Sequence, residues 1–332
     1  MSTRSTFTVS TKFLANSWQS YRMAYVVLIV AIILSLLTPR FLTVDNLLNV
    51  LVNASLVAIV GLGMTLAIAT GNFDLSVGST AAFAGCISMS LVASSGWPVP
   101  LAIVAGLASG AVVGLCNGLI ITELRVPAFI ATLATMTILR GLSLIYTNGR
   151  DIYLYGQTDY KFLSGGRILG VPVPIVLALL LTLGLVFVVK QTRFGRQILA
   201  VGSNAAAARR AGVRVNLVLW AVFAIVGTTA ALHGMIISAQ VLTANGRLDT
   251  GLELSAIAVV VLGGTPLSGG QLTLVGTLLG SLLVQVINNG LNLLNVPIFY
   301  QQVTVGLLLL IALTIEVSRG YDFRKLLEFE AS

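Results

Sequence analysis

Apolar runs long enough to cross a bilayer return along almost the whole of this chain, and they leave it one kind of place to fold. A membrane-spanning helix needs roughly 17 to 25 predominantly apolar residues. Stretches near that length are Met23–Leu37 with its flanks, Leu51–Thr70, Leu75–Ala93, Val99–Thr122, Pro127–Tyr146, Val171–Val189, Val215–Ala239, Gln271–Leu294 and Phe299–Val317. A short amphipathic stretch beginning at Asp45 precedes the second. Leu252–Gly264 is shorter, about 20 Å of helix against a hydrocarbon core of about 30 Å. With 57% hydrophobic and 9% charged residues among 332 and a mean hydropathy of +0.98, the chain lies far from soluble domains. The expected fold is an all-α polytopic membrane protein.

Its polar interruptions carry the orientation. Lys190 to Asn216 holds Lys190, Arg193, Arg196, Arg209, Arg210 and Arg214 and no acidic residue. Cytoplasmic loops carry the excess of Lys and Arg, so this segment is placed inside. The first 22 residues are polar, with Arg4, Lys12 and Arg22, and no small-residue cleavage site follows the first apolar run. A retained first helix with a cytoplasmic N-terminus is therefore expected. Counting Leu252–Gly264 as a short or broken crossing puts Arg319, Arg324 and Lys325 on the side of the basic loop. About ten helices result, with both ends cytoplasmic. The chain then divides into an N-terminal segment 1–22, one transmembrane domain 23–318 with a cytoplasmic coupling loop 190–216, and a cytoplasmic tail 319–332.

The transmembrane part reads as two copies of one design. Asp74-Leu75-Ser76 returns as Glu253-Leu254-Ser255, Asn117-Gly118-Leu119 as Asn289-Gly290-Leu291, and Val126-Pro127 with Phe129 as Val296-Pro297 with Phe299. The third segment pairs with the eighth, five crossings away, so the halves, about 23–147 and 171–318, have opposite orientation. Inverted-topology repeats are a common plan of transporters, with the solute path at the repeat interface and broken helices lining it.

Within the basic loop, Gly202-Ser203-Asn204 reads as a turn with a helix cap, and Ala205 to Ala211 as a short helix that stops at Gly212. Positive charge explains the topology, but a smooth capped alanine helix on the cytoplasmic side also suits a docking surface for another protein. Inside the apolar chain, Gly71-Asn72-Phe73-Asp74-Leu75-Ser76-Val77-Gly78-Ser79 is the most informative break. Asp74 falls at a helix start, where a carboxylate caps free N–H groups; contact with a solute is the other reading. Glu253 and Ser255 stand in the same position in the second half. Asn117, Asn289 and Gln301 are neutral hydrogen-bonding groups within or at the ends of spans, suited to holding helices together or to facing a neutral, hydroxyl-rich solute. Gly106, Gly110 and Gly114, and again Gly276 and Gly280, have the spacing that lets helices touch backbone to backbone. Arg140 is expected to snorkel outward, and His233 to be a buried structural residue.

Several classes are excluded by what is missing. The sequence has no phosphate-binding loop, no HExxH, no GxSxG and no spacing that suggests a catalytic triad. No metal site is expected, and Cys86 and Cys116 lie in separate spans without a CxxC. The net charge of +8 is scattered between apolar segments, which argues against nucleic acid. An enzyme is not expected; an ion-coupled secondary transporter remains a second reading.

At this point the residues resemble a known family. TGNFDLSVGS resembles the GGIDLSVG-type signature, and AVGSNAAAARRAGV the AVGGNxxAARxxGI-type loop, of permease subunits of bacterial ABC importers for ribose, arabinose, xylose and related monosaccharides. VVVLGGTPLSGG, from Val259 to Gly270, is similar to that family's second glycine-rich motif. Asn72-Phe73 stands where many members have Gly-Ile, and Ser203 replaces a usual Gly. The resemblance implies a multi-pass subunit of the inner membrane, paired with a second permease subunit, either a copy of itself or a paralogue. It implies a cytoplasmic ABC ATPase that uses ATP and Mg, no cofactor on this chain, and a periplasmic sugar-binding protein. Gly202, Ser203, Asn204, Ala207, Ala208, Arg209, Arg210 and Gly212 then form the ATPase-coupling segment. Asn72, Phe73, Asp74, Ser76, Asn117, Glu253, Ser255, Asn289 and Gln301 are candidates for the solute path or gate. Branched-chain amino acid permeases of the same superfamily are a rival for the solute.

Overall fold

The computed structural model describes residues 8–156 and 158–320, with side chains described for 23–156, 159–297 and 299–314. Residues 1–7 of the expected N-terminal segment and 321–332 of the tail, including Arg324 and Lys325, lie outside the described residues. The helices are α1 (Thr8–Leu37), α2 (Val44–Ala69), α3 (Val77–Ala93), α4 (Val99–Glu123), α5 (Ala128–Tyr146), α6 (Thr158–Gly165), α7 (Val173–Gln191), α8 (Arg193–Arg210), α9 (Val215–Val241), α10 (Leu252–Leu262), α11 (Leu274–Leu293) and α12 (Ile298–Gly320). Two-residue strands join the outlying loops. β1 (Ile152–Tyr153) pairs antiparallel with β4 (Thr243–Ala244), and β2 (Arg167–Ile168) with β3 (Val171–Pro172).

Six of these helices, α2, α4, α5, α7, α9 and α11, are long and apolar enough to cross a membrane. Shorter apolar helices occupy Met23–Leu37, Val77–Ala93, Leu252–Leu262 and Phe299–Thr314. Proline marks several entries: Pro98, Pro127 and Pro172 stand at the N-caps of α4, α5 and α7, where a missing N–H costs no helical hydrogen bond. The expected amphipathic stretch from Asp45 is not separate from the second span. It is the first turns of α2, whose run of Leu, Val and Ala gives no cause to stop before Thr70.

α2 and α9 form the centre. The apolar window of α2 is 83% buried, against 22% for α5 and 28% for α7. The most extensive packing is between α4 and α9, and its cause is visible in one row of glycines. A Cβ on Gly118 would lie 2.9 Å from the Trp220 Cα, one on Gly110 would strike the Gly227 carbonyl, and one on Gly114 the Phe223 carbonyl. These residues, four apart on α4, let the two backbones touch along three turns. Gly276 and Gly280 do the same for α11 against the carbonyls of Gly263 and Val259 at the end of α10.

The connection between residues 147 and 170, outside the apolar spans, is more ordered than a surface loop. Its helix α6 packs on α9, and the wholly buried Tyr160 donates a hydrogen bond to Ser88 Oγ of α3 at 3.2 Å. The basic segment 190–216 is likewise mostly helix. Its Arg, Gln, Leu and Ala content favours helix, and within α8 only Asn204, at φ −165° and ψ 98°, departs from helical geometry. α8 is thus two helices joined at Asn204.

Candidate functional site

The basic segment builds a surface at one end of the bundle. The Asn204 Oδ1 accepts from the Ala207 N–H at 2.9 Å and so caps the second half of α8. Gly212, at φ +86°, closes it. Between these stops, Ala205, Ala206, Ala207, Arg209 and Arg210 are exposed, and Ala208 alone is buried, seating the helix. Arg193, Arg196 and Arg214 are exposed beside it, and none of these cations is in an ion pair among the described residues. Next to the helix a cavity of about 270 Å³ opens between the first turns of α8 and α9, with Phe194, Gln197, Arg214 and Leu217 in its wall.

That surface is fastened to the core at one close approach. A Cβ on Gly202 would overlap the Ala69 carbonyl oxygen at the end of α2 and lie 2.5 Å from the Gly270 amide nitrogen. Gly270 itself donates its N–H to that carbonyl at 2.9 Å. The exposed end of α8 therefore touches both the last residue of α2 and the glycine-rich turn after α10.

Going inward from Ala69, the chain passes through Asn72, whose amide stays local on the Thr70 carbonyl and hydroxyl, and the half-buried Phe73. Asp74 follows, 1% exposed. Its Oδ1 accepts from the Ser76 N–H at 2.7 Å and the Ser76 hydroxyl at 2.6 Å, and its Oδ2 from the Asn117 amide at 3.2 Å. Asn117 also donates to Ser76 Oγ at 2.9 Å and accepts from the Thr135 hydroxyl at 2.7 Å. Thr132, one turn before Thr135 on α5, accepts from the Leu75 N–H at 3.1 Å. The carboxylate holds the backbone one residue ahead of α3 instead of capping the helix itself; the N-cap is Ser76. A ring of groups from α3, α4 and α5 is closed and fully hydrogen-bonded.

A second polar cluster lies against the first turn of α3, at Gly78, and is not closed. Arg140 of α5 turns inward and donates to the carbonyls of Gly246 and Leu248, the former at 2.8 Å, which corrects the expectation that it snorkels. Taking a guanidinium out to the lipid headgroups would leave those inward-turned carbonyls unpaired. His233 is buried as expected, with Nδ1 at 2.9 Å from the Leu56 carbonyl and Nε2 at 3.2 Å from Asp249 Oδ1. Asp249 Oδ2 and Glu253 Oε2 are buried with no hydrogen-bond partner among the described residues. A Cβ on Gly78 would lie 2.5 Å from the Asp249 carbonyl and 2.6 Å from Glu253 Oε2, so the first turns of α3 and α10 meet here.

The other candidates are elsewhere. Asn289 exchanges two hydrogen bonds with Asn46 at the start of α2, at 2.7 and 3.0 Å, and Gln301 donates to Asn292 on the exposed surface. Ser255 makes only a long contact with the Gly251 carbonyl. Thr132, Thr135 and Asp249 are residues that sequence reasoning passed over, and Arg140 is one that it turned the wrong way. The one sequence signal for the threonines is the 132-135-139 spacing, which puts both on a single face of α5. Among the described residues no group of three His, Cys, Asp or Glu side chains is placed to hold a metal ion.

The sequence model of a family described as "Branched-chain amino acid transport system / permease component" matches residues 46–313. The ribose import permease protein RbsC of Escherichia coli K12 is 41% identical over 310 residues, 92% of this chain and 96% of the relative. The protein of the same name from Bacillus subtilis is 43% identical over 290 residues, 87% of this chain and 89% of the relative. The L-arabinose ABC transporter permease protein AraH of Azospirillum brasilense is 34% identical over 305 residues, 91% of this chain and 89% of the relative.

Proposed function

The chain belongs to that family of permease components, and on this premise we propose that it is the membrane-spanning subunit of an ATP-driven importer that moves a monosaccharide. It is a multi-pass protein of the bacterial inner membrane and a transporter component, not an enzyme. The observation that carries the sugar reading is the similarity to ribose and arabinose permeases over about nine-tenths of the chain. We read the six long spans and four shorter apolar helices as ten crossings with both termini cytoplasmic. In support of two inverted halves, α4 packs on α9 as α11 packs on α2, and α3 on α5 as α10 on α12.

A cytoplasmic ABC ATPase, which binds ATP and Mg, docks on the exposed Ala205 to Arg210 helix. Gly202, Ser203, Asn204, Ala207, Ala208, Arg209, Arg210 and Gly212 form and support that contact. The unpaired arginines suit an acidic rim on the ATPase, and the neighbouring cavity gives one of its side chains a place to enter. Closure of the ATPases pushes α8, and the contacts of Gly202 with Ala69 and of Ser203 with Gly270 carry the push to α2 and α10. The solute path runs along the starts of α3 and α10, past Asn72, Phe73, Asp74, Ser76, Asn117, Glu253 and Ser255, with Asn289 and Gln301 at the far end. A periplasmic sugar-binding protein delivers the cargo, and a second permease subunit completes the path.

Purification of the protein in mild detergent from its native membranes, with mass spectrometry of what stays bound, tests this reading. An ATPase with a phosphate-binding loop is expected in the complex. Recovery of the permease alone would count against it.

A further inference from the structure

The two halves present corresponding carboxylates at the starts of their short helices, Asp74 before α3 and Glu253 in the first turn of α10. Their surroundings differ. Both oxygens of Asp74 are hydrogen-bonded, whereas Glu253 Oε2 has no partner among the described residues. The asparagine that would answer it by the repeat, Asn289, is taken by Asn46. In its place stand Arg140 and Asp249, and the Asp249 side chain, 10% exposed, also leaves one oxygen without a partner.

Charge bookkeeping narrows what such a site takes. Both ring nitrogens of His233 face acceptors, the Leu56 carbonyl and Asp249. The ring is thus held by its protein partners and offers no free nitrogen to a solute. Arg140 stands beside Glu253 at Gly78 and offsets its charge. The free oxygens of Asp249 and Glu253 accept hydrogen bonds and donate none. The complementary ligand is a molecule with several hydroxyl donors.

We propose that Arg140, Asp249 and Glu253 form the solute-selective point of this permease, where hydroxyls of a passing sugar donate to Asp249 Oδ2 and Glu253 Oε2. The Asp74 ring borders the same path, but its oxygens are already bonded to Ser76 and Asn117 and it holds the helices in place beside the solute. Thr137 and Gly141 of α5, Thr250 and Leu254, each within three residues in sequence of Arg140, Asp249 or Glu253, are exposed. Solute reaches the two oxygens when the starts of α3 and α10 part at Gly78. This inference rests on the sugar-importer reading.

The test uses proteoliposomes holding the complete transporter, with one ATPase and one binding protein kept constant and D-ribose, L-arabinose and D-allose as probes. The variants are Glu253→Gln, Glu253→Asp and Asp249→Asn; the last keeps an oxygen facing His233 and changes the unpartnered atom. Expected is a fall in uptake of roughly tenfold or more for Glu253→Gln and Asp249→Asn, the effect of losing one hydrogen bond to a charged group. The amount of assembled complex and its ATP hydrolysis stay at the wild-type level, and Glu253→Asp recovers part of the uptake. Wild-type uptake in both neutral variants, or a fall in hydrolysis and assembly parallel to uptake, overturns the proposal while leaving the importer reading intact. A wild-type complex that moves none of the three sugars contradicts both.

Discussion

Gly202 and Ala69 meet with no room for a side chain: a Cβ on Gly202 would overlap the Ala69 carbonyl oxygen, which at the same time accepts from the Gly270 N–H. One carbonyl at the end of a central helix thus ties the basic surface helix to the turn after α10. Gly202→Ala cannot be absorbed by a flexible neighbour, since both obstructing groups are backbone. The expected cost is about 1–3 kcal/mol of overpacking. It is read as a lower thermal midpoint of the detergent-solubilised protein and faster exchange of the α8 amides; an unchanged midpoint contradicts the contact.

The α4–α9 crossing predicts a sharp contrast between glycines. Gly110→Ala puts its Cβ onto the Gly227 carbonyl and should lower the thermal midpoint and the yield of inserted protein. Gly184→Ala in α7 meets nothing within 4 Å and should leave both unchanged or slightly improved. Equal behaviour of the two variants would remove the packing argument.

Asp74→Ala strips the acceptor from the Ser76 N–H, the Ser76 hydroxyl and one bond of the Asn117 amide in a site that water does not reach. About 2–4 kcal/mol of stability should go with it, from buried donors left without an acceptor. Asp74→Asn keeps one oxygen for Ser76 and should lie between the two. Thermal unfolding of the three proteins in the same detergent gives the order.

Asn204→Ala removes the cap of the exposed half of α8. The expected loss is about 1 kcal/mol, confined to residues 205–210, and Asn204→Asp or Asn204→Ser should restore it. Hydrogen exchange of that segment is the measurement, since a global unfolding midpoint will hardly move.

Reversal of Arg209 and Arg210 to Glu should abolish capture of the ATPase while insertion is unaffected, because both side chains are exposed and unpaired. In the wild type the same capture should weaken as salt rises through the range where exposed charges are screened. Capture that is indifferent to both would place docking elsewhere.

The spans and the cap were legible in the sequence because each rests on a local rule. Hydropathy over some twenty residues marks α4, α9 and α11, Asn204 announces its own cap, and the glycine spacing on α4 announces a close crossing. Arg140 could not be read that way. Its place depends on the carbonyls of Gly246 and Leu248, more than a hundred residues away, which the connection between α9 and α10 brings against α5. Asn289 shows the same limit: the repeat aligns it with Asn117, yet the neighbour that decides its bonds is Asn46, at the start of α2. Sequence symmetry placed the carboxylates Asp74 and Glu253 at equivalent starts, and only tertiary contacts made one satisfied and the other not.

The energy source is the most direct test of the central claim. Uptake of D-ribose should be measured in vesicles holding this protein with its ATPase and binding protein, energised by ATP in one set and by an imposed proton or sodium gradient in the other. Uptake that needs ATP, the ATPase and the binding protein, and that ignores the gradient, is the predicted result. Uptake by the permease alone, driven by the gradient without ATP, would contradict the account and identify an ion-coupled transporter.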